Sequence, residues 1–180
     1  MKVSIVASDN DLLGYLGGTE KQVNQALMRA VNRVASKAKT ISKRAITKQA
    51  ALKDRFVGEK LSLTKASPGN LEAVIHTPKK GLSLSHYKHA QAFERGRGKK
   101  GKRAGVRVTV KPGVTKIIKK AFLMKGSIKM RYGGRVHTLF GPSVSQIWNK
   151  TRETLRPELS HDLRAIAAEE LRFIVTGSRR

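Results

Sequence analysis

The chain has no cysteine, which removes disulfide frameworks, thiolate zinc sites and cysteine nucleophiles together and fits a reducing compartment. Aromatic residues make up only 5% of it, so a core has to rest on Val, Ile, Leu and Ala. The same scarcity argues against a single-strand binder built on exposed stacking rings. No segment reaches the ~20 apolar residues of a membrane span. The opening residues 1–9 hold one Lys and too short an apolar stretch for a signal peptide, so the expectation is a soluble protein without membrane contact. The most telling shortage is of acid. From Arg95 to Arg152 the chain runs 58 residues without Asp or Glu while carrying 17 Lys or Arg. A second acid-free run, Lys21 to Lys53, adds nine. The formal charge is +26 on 180 residues. Like charges weaken a compact state, so such an imbalance implies a polyanion or an acidic protein neighbour.

What is present reads as one α+β domain over residues 1–180. Residues 2–7 suit a short strand, and Gly14, Gly17 and Gly18 break the chain before a helix. Thr19 with Gln22 makes a capping-box pattern. Val23, Leu27, Ala30, Val31, Val34, Ala38, Ile41 and Ala45 follow at helical spacing, which predicts a helix over 19–50. Arg29, Arg33, Lys37, Arg44 and Lys48 lie on one flank of that apolar arc. A shorter helix over 51–60 is expected to end near Gly58. Residues 61–76 read as a hairpin about Ser67-Pro68-Gly69-Asn70, whose Pro and Gly suit a type II turn.

Residues 77–105 read as irregular, with a flexible basic loop at 94–105. Strands are expected at 106–110, 121–124 and 128–132, the last two paired across Lys125-Gly126-Ser127, so the sheet region spans 61–140. Gly133-Gly134 and Gly141-Pro142 are further breaks. A helical region over 143–175 follows, in which Pro157 should kink or restart the helix. Helix, hairpin, more strands and helix imply an antiparallel sheet packed by terminal helices.

Sharper motifs fall short of a mechanism. Gly96, four residues, Gly101 and Lys102 approximate a phosphate-binding loop, but Arg103 stands where Ser or Thr should hold magnesium and a strand follows. His86 and His89, one helical turn apart, lack a third zinc ligand at suitable spacing. His76, His86, His89 and His137 have no second catalytic group for ribonuclease-like chemistry. Phe122 and Trp148 read as core anchors, and Gly141-Pro142-Ser143 as the turn and cap into the last helix.

Several segments in order carry a resemblance: Ala26-Leu27-Met28-Arg29-Ala30-Val31-Asn32-Arg33-Val34-Ala35, the hairpin at Ala66-Ser67-Pro68-Gly69, the Arg/Lys/Gly loop, Ala121-Phe122, and Gly141-Pro142-Ser143-Val144. Over residues 20–176 the chain resembles the minor tail protein Z family of long-tailed bacteriophages, a group of tail completion proteins. The resemblance implies a virion structural protein, assembled in the host cytoplasm and added at the head-proximal end of the tail. It implies a ring of six identical copies joined to tail tube or terminator and neck proteins, with the DNA end as a further contact. No enzyme, cofactor, catalytic residue or metal ligand is expected. Arg95, Arg97, Lys99, Lys100, Lys102 and Arg103 are the first candidates for contact with nucleic acid or an acidic partner. Arg29, Arg33, Lys37, Arg44 and Lys48 are the second. The alternatives are a ribosome- or nucleoid-associated nucleic-acid binder and a cationic nuclease.

Overall fold

The computed structural model describes residues 2–6, 20–93 and 103–176. The chain begins with β1 (Lys2–Val6), α1 (Glu20–Gln49), α2 (Asp54–Lys60), β2 (Ser62–Thr64) and β3 (Glu72–His76). Next come β4 (Leu82–Ser83), a 3-10 turn (Leu84–His86), β5 (Lys88–Phe93), β6 (Arg103–Lys111) and β7 (Val114–Lys119). It closes with β8 (Ala121–Met124), β9 (Ser127–Tyr132), β10 (Arg135–Thr138), β11 (Phe140–Gly141) and α3 (Val144–Thr176). Two long helices and small antiparallel sheets make an α+β fold, as expected. The chain divides into two compact units. A helical unit comprises Met1–Lys43, Leu61–Thr77 and Asn149–Arg180, and a strand-rich unit comprises Arg44–Lys60 and Pro78–Trp148.

In the helical unit, small and β-branched residues on one face of α1 create the core. Val23, Ala26 and Leu27 pack with Leu171, joined by Leu71, Ala167 and Ile174. Val31 and Ala35 pack with Ala66 and Ala73, joined by Met28, Leu63 and Leu163. One face of α1 thus serves both α3 and the β2–β3 hairpin. The buried stripe departs from the predicted arc late in the helix, where Ser42 and Ile46 are buried but Ile41 and Ala45 only half-buried. Each four-residue step advances roughly 40° past a full turn. The series Ala30, Val34, Ala38, Ser42, Ile46 therefore winds around the helix as the chain leaves one unit for the other.

Asn32 ties the hairpin down. Its side-chain amide donates to the Ala66 carbonyl at 3.1 Å and accepts from the Ala66 N–H at 2.8 Å, satisfying both backbone groups with one side chain. β3 is the central strand of the order β1-β3-β2. The turn at Ser67–Asn70 is closed by reciprocal backbone bonds of 2.9 and 3.0 Å. Gly69 is not at positive φ, so the turn is not the type II form expected. α3 is one continuous helix through Pro157, so of the kink or restart expected there the restart is absent.

In the strand-rich unit the sheets are ordered β5-β6-β7, β10-β9-β8 and β11-β4. Their turns explain the hairpins. Pro112-Gly113, with Gly113 at φ 80, joins β6 to β7 in the type II pattern. Lys125-Gly126 and Gly133-Gly134 each have two positive φ values, the type I′ geometry that matches strand twist. The expected β8–β9 pairing is present, with Met124 opposite Ser127. Residues 77–105, read as irregular, contain β4 and β5 instead. β5 (Lys-His-Ala-Gln-Ala-Phe) has no β-branched residue, and its strand form comes from pairing with β6, Lys88 opposite Thr109 through Phe93 opposite Arg103. α2 starts only at Asp54. Before it, the Ala51 N–H bonds the Val110 carbonyl and Leu52 bridges Tyr87, so these residues serve strands rather than a helix.

Gly105 is the position where β6 tolerates no side chain. It is buried at φ 142, and a Cβ there would lie 2.2 Å from the Ile118 carbonyl oxygen. Gly105→Ala is therefore expected to lower unfolding free energy by roughly 2–4 kcal/mol, measured by urea denaturation. A change within ~0.5 kcal/mol, the scale of a neutral surface substitution, would contradict the close approach.

Candidate basic interface

Charge is divided unevenly between the units. The strand-rich unit holds 23 of the 38 Lys and Arg against three acids, Asp54, Glu59 and Glu94, a net +20. The helical unit holds the other 15 against nine acids, a net +6.

The α1 cations fall into two groups. Arg33 reaches Glu170 at 3.3 Å and Glu169 at 3.6 Å, and Lys37 reaches Asp162 at 2.6 Å. All three ion pairs join α1 to α3. The Asp162 carboxylate, with weaker help from Glu158, holds the Lys37 ammonium above its usual pKa despite some loss of hydration. Arg29, Arg44 and Lys48 are exposed. Arg29 lies in the helical unit and the other two in the strand-rich unit. Of the loop candidates, Arg95, Arg97, Lys99, Lys100 and Lys102 lie outside the described residues. Arg103 opens β6, its backbone opposite Phe93.

Sequence reading missed the cations that the strands present. Arg107, Lys111, Lys116, Lys119, Lys125, Arg131 and Arg135 are all exposed on or between strands. The signal was the acid-free run itself, which had not been placed on β7 and β10. Every large apolar side chain exposed among the described residues also belongs to this unit. Tyr132 is 76% exposed, Val114 and Ile117 are 50% each, and Phe93, Val136 and Phe140 lie between 41% and 61%. Leu123 and Met124 complete the set at the β8–β9 turn.

Three of the five histidines have local partners. His86 ends the 3-10 turn and stacks on Phe56 at 4.3 Å, whereas His89 sits in β5 and donates through Nδ1 to the Tyr87 carbonyl at 2.8 Å. They are therefore not one helical turn apart, as the spacing suggested. His76 shares a 3.0 Å hydrogen bond with Thr64. Among the described residues, no three His, Asp or Glu side chains cluster to hold a metal ion. Trp148 is buried and Phe122 half-buried, in keeping with anchoring roles.

The segment Gly141-Pro142-Ser143 forms a packed entry to α3. Ser143 Oγ accepts from the Gln146 N–H at 3.1 Å and Gln146 returns the bond to the Ser143 N–H at 2.9 Å, a complete capping box. Tyr87 donates its hydroxyl proton to the Pro142 carbonyl at 2.8 Å. A Cβ on Gly141 would meet Leu84 at 2.9 Å and the Tyr87 ring at 3.0 Å, so a glycine lets the turn close over the ring. Burial pushes the Tyr87 pKa up to about 12.

The strand-rich unit is strongly cationic and exposes apolar side chains, whereas the helical unit pairs Arg33 and Lys37 with acids of its own. The family profile of the prophage minor tail protein Z (GPZ) matches residues 15–177. The chain is thus a bacteriophage tail protein, a component of the virion. Within that class it belongs to the prophage minor tail protein Z family. No curated protein and no solved structure matches it significantly. Among the described residues, no helix is long and apolar enough to cross a membrane.

The Tyr87 shift has a defined sign. Its folded pKa lies above the ordinary 10.0, so the associated stability is complete below pH 10 and disappears as pH rises toward 12. Lysine deprotonation in the same range relieves repulsion, so the comparison is with Tyr87→Phe. Unfolding free energy should fall more steeply above pH 10 in the wild type than in that variant; parallel curves would show that burial of this hydroxyl has no such effect.

Proposed function

We propose that this tail protein completes the phage tail at its head-proximal end. In this reading six copies form a ring that connects to tail tube or terminator and neck proteins and meets the incoming DNA end. Made in the host cytoplasm, it would act by charge matching and counter-ion release, with no chemistry of its own. The observation that carries the reading is the net +20 of the strand-rich unit, which three acids of its own cannot offset. Family membership supports a tail role over a ribosome- or nucleoid-associated one. Arg95, Arg97, Lys99, Lys100, Lys102 and Arg103 remain the first proposed contacts. Arg29, Arg44 and Lys48 come next, while Arg33 and Lys37 are weaker candidates because acids of α3 already partner them.

Two measurements test this. If DNA is a ligand, log affinity should fall with log salt at a slope of about −0.9 per phosphate neutralised, and replacing the six loop cations by Gln should flatten it markedly. A flat wild-type response would leave protein contacts as the use of the charge. Repulsion between copies of +26 should also keep the isolated protein monomeric or weakly associated in low salt, as read by sedimentation. A stable hexamer alone under those conditions would contradict the dependence on an external counter-charge.

A further inference from the structure

β7 lies at one end of the order β5-β6-β7, and among the described residues only β6 pairs with it. Its other edge therefore presents backbone donors and acceptors with no strand beside them. Side chains alternate along it, so Val114 and Lys116 share one face while Ile117 and Lys119 share the other. All four are exposed. The two apolar positions are three residues apart, and so are the two lysines.

We propose that the β7 edge is a docking site for an extended segment of an acidic partner protein, added as a fourth strand. This deepens the reading above, resting on it for the existence of an anionic neighbour. Charge complementarity selects the occupant. Acids opposite Lys116 and Lys119 would be cross-strand ion pairs, and apolar residues opposite Val114 and Ile117 would cover surface now left to water. In antiparallel register that partner reads acid–x–apolar–acid–x–apolar, a three-residue repeat. A second copy of this chain is disfavoured, because edge lysines on a unit of net +20 oppose self-pairing. Duplex DNA would use the lysines but gain nothing from Val114 and Ile117, since phosphate contacts are polar.

The test uses the full chain and a synthetic peptide, Glu-Thr-Val-Glu-Thr-Val, with a scrambled peptide of the same composition, polyglutamate and duplex DNA as comparisons. The ordered peptide should bind tightest and slow amide exchange over 114–119. Val114→Ser with Ile117→Ser should weaken it by at least about fivefold, the scale of losing partly buried aliphatic contacts, and leave DNA binding unchanged. Circular dichroism should show both folds intact, and Lys116→Gln with Lys119→Gln, which spares the apolar pair, should weaken the peptide as well. Equal binding of the scrambled peptide or polyglutamate, or indifference to the serine changes, would overturn the docking site. So would self-association lost in the serine variant, which would assign the edge to a second copy. If the docking fails while DNA binding keeps its salt dependence, the polyanion reading stands; if the docking holds and DNA binding is insensitive to salt, the edge assignment stands alone.

Discussion

Like-charge repulsion inside the strand-rich unit is the constraint against which its other interactions work. Two cations ~10 Å apart in water repel by only roughly 0.4 kcal/mol. A net +20 in one unit creates many such pairs, and their sum becomes comparable with the ~5–15 kcal/mol that separates folded from unfolded domains. The unit is held against this by backbone pairing through tight turns and by a small interior of Val106, Val108, Ile128, Val144 and Trp148. That interior is economical, and it leaves large apolar groups at the surface. Counter-charge from outside, and cover for those groups, would relieve both liabilities at once.

The helical unit handles its cations by another route. α3 supplies Asp162, Glu169 and Glu170 opposite Lys37 and Arg33, and Asn32 spends its amide on the hairpin backbone. The cations that sequence placed together on one flank of α1 are therefore chemically divided. Part of its charge is used inside the chain, and part remains exposed.

Local signals made much of the fold legible. The apolar period of α1, the hairpin over 62–76, the Lys125-Gly126 turn and the Ser143 cap were readable because each depends on residues close in sequence. β7 and β10 were not seen, although Pro112-Gly113 and Gly133-Gly134 are turn pairs with β-branched residues close by, Val110 and Val114 at the first and Val136 and Thr138 after the second. β5 had no such flank, since its form is imposed by β6. The partners of Arg33 were beyond sequence reading for a different reason: Glu170 lies 137 positions away, and nothing in either local pattern announces the pair. The candidate interface was legible as a quantity of charge, while its apolar component depended on knowing which faces the strands leave uncovered.

The opposed treatment of charge in the two units has a consequence for ionic strength. Dissolved ions at physiological concentration damp Coulomb forces beyond about 8 Å. In the strand-rich unit this softens repulsion and favours compactness; in the helical unit it loosens the half-exposed Arg33 and Lys37 bridges. Added salt therefore relieves the repulsion of the strand-rich unit while weakening the α1–α3 bridges of the helical unit, so its effect differs between the two.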